Sequence, residues 1–200
     1  MPKHSKKFSG LLDFINFTHE FRSVIRVART PNSERFENDA EHSYQLAMVA
    51  WFLIEEEKLN LSREKCLLYS LAHDLVEIYA GDTYAFDKNI KNHESKKERE
   101  HKALLKIKKR FPKFKSLIKL IEQYERREDE ESKFVYALDK IITPIQIYTE
   151  KGRLWHEKDV SFMDLINNKG DKIKISKTVN TYWLELAKIL EKDKKKLFPR

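Results

Sequence analysis

Residues 67–82 combine an apolar helical pattern with ionisable side chains, and this combination limits how the chain can fold. The apolar positions recur at helical spacing and predict a stripe that faces the core: Leu67, Leu71, Leu75 and Ile78. The ionisable residues among them are His73, Asp74, Glu77 and Asp82. An isolated buried carboxylate is so unfavourable that such groups are normally paired, neutralised or bound to a metal. The segment therefore indicates a shared partner for its charged groups, and a divalent cation is the simplest one.

Glycine and proline are scarce, with four and five among 200 residues, which leaves little room for tight turns. Hydrophobic residues make up 40% of the chain, enough for a sizeable core. We therefore expect a mostly helical protein with one domain over residues 1–200. The longest apolar run, residues 46–54, is far shorter than the roughly 20 residues of a membrane helix, so no membrane partner is expected. Cys66 is the only cysteine, which excludes an internal disulfide and favours the cytoplasm.

The net charge of +8 raises the question of nucleic-acid binding. Residues 36–90, which contain the ionisable segment, hold four Lys or Arg and eleven Asp or Glu. The positive charge therefore lies elsewhere, much of it in mixed-sign stretches that are typical of solvated helix faces. An RNA-binding helical protein remains an alternative, but it lacks the interleaved aromatic residues that base stacking requires. Nucleic acid is an unlikely partner on this pattern.

A second candidate ligand, His42, lies in the first turn of a predicted helix. Asn38 and Glu41 have the spacing of a capping box, which starts the helix there. The face of His42 continues through apolar residues, Leu46, Val49, Ala50 and Leu53. Alone it would more often be a core histidine. His42 and the His73-Asp74 pair, facing the core from consecutive helices, can converge, and imidazole with carboxylate suits Mn, Fe, Co, Ni or Zn.

Asp139 is another carboxylate within an apolar helical pattern, whose members are Phe134, Leu138, Ile141 and Ile145. One interpretation is an ion pair with Lys140 or with an arginine elsewhere in the chain. The alternative is that Asp139 completes a His, His, Asp, Asp ligand set with the residues above.

Arginines follow the apolar clusters of residues 8–29, which we interpret as a helix broken by residues 30–33. Arg22, Arg26 and Arg29 could neutralise an anionic substrate, because a guanidinium binds phosphate through two parallel hydrogen bonds. A solvated helix face is the alternative for each of them. Further along, we expect a central helix over residues 63–80, ended by Gly81, and a loop over the site at residues 83–92.

The order of these motifs resembles the HD-domain metal-dependent phosphohydrolases, whose H…HD…D signature would be His42, His73-Asp74 and Asp139. The matching stretches are Glu37 to Ser43, Ala72 to Asp74 with Glu77, Gly81-Asp82, and Ala137 to Asp139. The likeness is to the branch that contains the bacterial 5'-deoxynucleotidases and their eukaryotic relatives. It spans about residues 10–150, and residues 151–200 are expected to add packing helices.

The resemblance implies an all-α HD-domain bundle of five or more helices, usually a homodimer. One divalent ion (Mn, Co, Fe, Ni, Zn or Mg) would be held by His42, His73, Asp74 and Asp139. Glu77 matches the catalytic glutamate and Asp82 a residue near the sugar. The phosphate-binding arginine has several candidates, Arg22, Arg26, Arg29 and Arg35.

The implied reaction is release of the 5'-phosphate from (deoxy)nucleoside monophosphates, with a nucleotide as the partner. One alternative keeps the site but changes the substrate to a nucleoside triphosphate, a cyclic nucleotide or a guanosine polyphosphate. Another is a non-catalytic HD module that binds a nucleotide or a protein. The presence of Glu77 and Asp82 argues against that module, because a purely structural metal needs neither.

Overall fold

The computed structural model describes residues 5–87 and 89–199, most of them helical. Two short strands, β1 (Ile25–Arg29) and β2 (Phe36–Asn38), form an antiparallel pair. The helices are α1 (Lys6–Phe21), α2 (Asp39–Glu56), α3 (Arg63–Ala72), α4 (Glu77–Ala80), α5 (Ile90–Glu94), α6 (Lys96–Arg110), α7 (Lys115–Arg126), α8 (Glu130–Thr149), α9 (Arg153–Glu157), α10 (Phe162–Ile173), α11 (Lys177–Lys192) and α12 (Lys194–Leu197). The all-α prediction is confirmed.

The long helix α8 is the centre of the fold. Helices α2, α3, α7, α10 and α11 all contact it, and the larger cluster of buried side chains runs from Leu46 on α2 to Phe198 near the C-terminus. A second cluster joins α1, α4, α6 and α7 around Phe17 and Ile107, which are fully buried. Helix α7 contributes to both clusters, and the packed core holds the helices that carry the candidate ligands in fixed positions.

The predicted helix over residues 8–29 is wrong after Phe21, where α1 ends. Residues 25–29 form β1 instead and pair with β2. β-branched residues such as Ile25 and Val27 favour extended backbone, and periodicity alone does not separate a short apolar run in a strand from one in a helix. The amide of Asp39 also donates to the Val24 carbonyl (3.1 Å), which ties the start of the strand pair to the start of α2.

The predicted continuous helix over residues 63–80 is also wrong. α3 ends at Ala72, a turn spans residues 73–76, and α4 begins at Glu77. The stripe inferred from leucines is partly misplaced, since Leu71 is half exposed and the buried face of α3 carries Cys66 and Tyr69. Gly81 does end α4, with the positive φ of 76° that glycine adopts readily.

The expected loop over residues 83–92 ends earlier, because α5 begins at Ile90. Among the described helices, none is both long and apolar enough to cross a bilayer.

Gly152 is the glycine whose replacement the fold opposes most strongly. Its φ is +77°, and an added Cβ would lie 2.1 Å from the carbonyl oxygen of Leu197, which is backbone. We expect Gly152→Ala to lower the free energy of unfolding by at least about 2 kcal/mol, measured by urea denaturation followed by circular dichroism. Gly10→Ala is the matched control, because Gly10 is exposed on α1 with nothing within 4 Å of the new Cβ. It should raise stability by about 0.5–1 kcal/mol. Equal stabilities of the two variants would contradict this account.

Candidate metal centre and substrate cavity

His42 is held by the start of α2. The Asn38 side chain accepts from the Glu41 amide (3.0 Å), and the Glu41 side chain accepts from the Asn38 amide (3.1 Å), which completes the capping box. His42 is fully buried one turn further on, and its Nε2 lies 2.9 Å from Oδ1 of Asp139. Burial lowers the pKa of His42 to about 4, with the charge of Arg26 acting in the same direction. The imidazole is therefore neutral at physiological pH, as a metal ligand must be.

His73 lies at the C-terminal end of α3, where its ring is fixed by the backbone. Its Nδ1 donates to the Ser70 carbonyl (2.9 Å), so Nε2 carries the lone pair when the ring is neutral. Burial lowers the pKa of His73, but the neighbouring carboxylates, Asp74 foremost, outweigh burial and raise it. That Nε2 lies 3.0 Å from Oδ2 of Asp74 and 4.0 Å from Oδ1 of Asp139, and it has no hydrogen-bond partner in the described part of the chain. When the ring is neutral, Nε2 and Oδ2 of Asp74 are both acceptors, and a cation between them would stabilise the contact. The donor set thus fits a divalent metal.

Asp139 is in the middle of α8 and divides its two oxygens between different partners. Oδ2 forms an ion pair with Lys140, and Oδ1 faces His42. Burial opposes ionisation of this carboxyl, but the charge of Lys140 and the hydrogen bond with His42 outweigh it and hold the pKa well below its usual range. The ion pair with Lys140 is therefore present, and Asp139 also lies beside the candidate ligand His42. His42, His73 and Asp139 each present a ligand atom, and the three atoms lie within 4.8 Å of one another.

A second acidic group adjoins the first. Asp39, Asp74 and Glu77 also present oxygens within 4.8 Å of one another. Asp74, in the turn after α3, links the two groups because it also faces His73. Glu77 begins α4, and its amide donates to the Asp74 carbonyl (2.8 Å). Burial, together with the charges of Asp74 and Asp39, raises the pKa of Glu77 well above its usual value.

Arg26 on β1 is the predicted arginine that reaches these acids. Its Nη1 lies 3.1 Å from Oδ1 of Asp39 and 3.1 Å from Oδ2 of Asp74, and its Nε lies 3.5 Å from Oε2 of Glu37. Burial disfavours its charge, but the surrounding carboxylates, Asp74 foremost, outweigh burial and raise its pKa. Arg26 therefore stays protonated inside the cluster.

The other candidate arginines lie elsewhere. Arg29 donates to Glu157 (2.6 Å) and covers the ring of Phe36. Arg35 forms a bidentate pair with Glu41, at 2.8 Å for both bonds, on the surface. Arg22 follows α1 and is exposed. Asp82, by contrast, lines the same cavity as the acidic groups, and burial raises its pKa despite the opposing charge of Arg26.

Sequence reasoning missed Glu37 and Asp39 as members of the site, because it assigned the run from Glu37 to Glu41 to capping. Asp39 is fully buried, and burial together with the charge of Asp74 raises its pKa to about 7. The pKa of Glu37 is also raised to about 7 by burial. A signal was present for Asp39, since it precedes His42 by three residues and therefore shares its helix face.

The acidic groups open into a cavity of about 650 Å³, within the range of small-molecule sites. Aromatic residues line its walls: Tyr84, Phe86, Tyr124 and Tyr136. So do lysines from three helices: Lys96, Lys97, Lys140, Lys169 and Lys172. Lys96 lies 3.9 Å from Glu77, so a cation faces the acidic group across the cavity.

Comparisons with known proteins agree with this site. Two curated relatives are the 5'-deoxynucleotidase HDDC2 of Mus musculus, 33% identical over 135 residues, and that of Homo sapiens, 33% identical over 144 residues. The alignments cover 66% and 68% of this chain, but only 65% and 68% of those proteins. The chain thus spans just under two thirds of the mouse relative.

Solved structures share the fold. A predicted metal-dependent phosphohydrolase from Magnetospirillum magnetotacticum has a TM-score of 0.81 and 26% identity, with 98% of this chain and 99% of that one covered. A conserved hypothetical protein from Pyrococcus furiosus has a TM-score of 0.62 and 21% identity, with 90% and 99% covered.

The HD domain family model matches residues 18–180, which extends beyond the stretch of about 10–150 whose motifs carried the resemblance. The match includes both buried histidines and the acidic residues that face them. The resemblance predicted from the sequence is confirmed, and the chain belongs to the HD domain family.

Proposed function

We propose that this protein is a metal-dependent phosphohydrolase that releases the 5'-phosphate of (deoxy)nucleoside monophosphates. The observation that carries the proposal is the convergence of His73 Nε2 and Oδ2 of Asp74, 3.0 Å apart, in a cavity that also contains Arg26 and Glu77. A site with these groups can hold a metal, a phosphate and a proton donor together. The names of the nucleotidase and phosphohydrolase relatives support the same reaction class.

His42, His73, Asp74 and Asp139 would hold one divalent ion. When bound, such an ion polarises phosphoryl oxygens and lowers the pKa of water. Two imidazoles with two carboxylates suit Mn, Fe, Co, Ni or Zn better than Mg, which prefers oxygen ligands alone.

Glu77 is proposed to move the proton between the attacking water and the leaving 5'-oxygen. Burial and the charges of Asp74 and Asp39 raise its pKa, and a carboxyl shifted upward in this way is better suited to donate a proton than an ordinary glutamate. Lys96, 3.9 Å away, can stabilise the carboxylate after the proton has left.

Arg26 is proposed to bind the phosphate. Of the four candidate arginines, Arg26 is the one that lines the cavity, and its guanidinium lies beside Asp74 and Asp39. The positions of Arg29 and Arg35 give no such support. Asp82, on the cavity wall, is proposed to lie near the sugar.

The reaction is tested by measuring phosphate release from a panel of deoxy- and ribonucleoside 5'-monophosphates. The protein is stripped of metal and then supplied with Mn, Co, Zn, Ni, Fe or Mg. We expect release only with added metal, and no release by Asp74→Ala, which also loses the ion in a metal-content assay. Stoichiometric metal binding without release from any monophosphate would reject the proposal and direct the panel to triphosphates and cyclic nucleotides.

Glu77→Gln tests the proton-transfer role separately. The amide keeps the shape of the carboxyl but cannot exchange a proton, so kcat should fall by about 10²–10⁴-fold. Metal content should equal that of the wild type, because other residues provide the ligands. A Glu77→Gln enzyme with near-normal kcat would disprove this role.

We further propose that the protein is a homodimer that associates through α2 and α3. Large apolar side chains are exposed on α2 at helical spacing: Tyr44, Met48, Trp51 and Phe52. The neighbouring helix α3 exposes Leu68 and Leu71. An apolar face of this kind commonly marks an interface.

Phe52→Glu should convert the dimer into a monomer, because a charge would be buried at the interface. Sedimentation velocity provides the measurement, and Leu184→Glu, at an exposed apolar residue of α11, is the control that should keep the mass of the wild type. A monomeric wild type, or a dimer that survives Phe52→Glu, would refute the assignment.

Residues 1–200 are proposed to form one domain, since α10 and α11 bury their apolar faces against α8. The cytoplasm is proposed as the compartment. Cys66 is a free buried thiol whose pKa burial raises to about 12, which agrees with a reducing environment.

A further inference from the structure

Lys169 on α10 is a buried cation without a carboxylate partner. Its residue is only 8% exposed, and none of the described acidic residues forms an ion pair or a hydrogen bond with it. Its Nζ lies over the face of the Phe86 ring, 5.9 Å from the ring centroid. Buried lysines are normally paired, because desolvation of an ammonium group is unfavourable. Lys169 therefore needs an explanation beyond packing.

The charges around Lys169 make its position less favourable still. Burial lowers its pKa to about 7, and Lys140, Lys172 and Arg26 act in the same direction. Asp139 opposes them, but that carboxylate is already occupied by Lys140 and His42. The wall formed by α8 and α10 thus carries more positive charge than the protein itself compensates.

This wall belongs to the cavity that contains the metal ligands. Lys169 and Lys172 both line it, together with the aromatic residues of the segment after Gly81. The wall is also fixed in place. Asn168 donates to the carbonyl of Ala85 (3.1 Å), and Lys172 Nζ donates to Oδ1 of Asn168 (3.0 Å). A bound anion would meet preorganised donors rather than mobile surface lysines.

We propose that Lys169 and Lys172 form an anion subsite that binds a phosphate group other than the one held beside Arg26 and the metal ligands. The subsite rests on the proposed function only for the identity of the substrate. The phosphate has two sources, a second phosphate on the nucleotide substrate or free inorganic phosphate. In the first case the preferred substrate class is a nucleotide with two separate phosphates, of which the metal site hydrolyses one.

The substrate source is tested by comparing kcat/KM for a deoxynucleoside 5'-monophosphate and for the corresponding 3',5'-bisphosphate. In Lys169→Met the length of the side chain is kept and the charge is lost. The kcat/KM for the bisphosphate divided by that for the monophosphate should fall by about tenfold or more, as for loss of a charge-assisted hydrogen bond. Lys174→Met is the control, because Lys174 is an exposed residue just beyond α10 and should keep the wild-type ratio.

Inorganic phosphate titration by calorimetry tests the subsite without turnover. It uses Asp74→Ala, in which the metal site is disabled, and the double variant Asp74→Ala/Lys169→Met. We expect phosphate to bind the former and to bind the latter at least about tenfold more weakly. Weaker phosphate binding by the double variant, together with an unchanged kcat/KM ratio in Lys169→Met, would assign the subsite to free phosphate.

Equal phosphate binding by the two Asp74 variants, together with an unchanged ratio in Lys169→Met, would overturn the proposal. A parallel loss of activity on both nucleotides would also count against it, since that is the result of a structural role. Thermal melting in phosphate-free buffer controls for folding, and removal of the buried charge should not lower the melting temperature. Failure of the proposed function is a separate result, namely no metal-dependent release by the wild type while the titration still shows the subsite.

Discussion

The site depends on the compensation of several buried carboxylates by few cations. Arg26 forms ion pairs with three of them, Asp39, Asp74 and Glu37. A single guanidinium balances only part of the negative charge of these three carboxylates. The raised pKa values of Glu37, Asp39 and Glu77 follow from this imbalance, because burial favours the neutral form when no cation is near enough. A divalent metal between the histidines and Asp74 would remove much of the remaining cost. The packing of the helices brings these carboxylates together although their burial is unfavourable. The packing of the rest of the core must therefore compensate for the cost of forming the site.

The turn after α3 decides how this convergence is reached. A continuous helix would place His73 and Glu77 one turn apart along the same face. The break after Ala72 instead directs His73 toward α8 and Asp74 toward the strand pair, where Arg26 meets it. Leu75 and Val76 then anchor the turn in the cluster around Phe17. Local helix propensity is overridden here by tertiary packing, as often happens at functional sites.

The sequence was informative where a side chain shares the period of a buried helix face. His42 and Asp139 could be placed in the core because apolar residues recur around them at helical spacing, and the structure brings both to one point. The exact end of α3 could not be read in this way, because the same apolar residues fit a longer helix. The choice among Arg26, Arg29 and Arg35 depended on the pairing of β1 with β2. That pairing is a contact between two segments of the chain, and a strand of five residues is too short to show it as a periodic pattern in the sequence.

The lysine residues that line the cavity could not be predicted from the sequence, because the region around them is rich in lysine. Lys169 and Lys172 belong to a lysine-rich C-terminal region that resembles a solvated surface, and only the packing of α10 on α8 turns Lys169 inward. Its burial then has a consequence for the whole site. The acidic end of the cavity attracts a metal, whereas the lysine wall attracts an anion, so the two ends together favour a ligand that spans them with charge at both places. The HD motif accounts for the first end alone. The wall provided by α10 therefore adds to the cavity a feature that the HD motif does not specify.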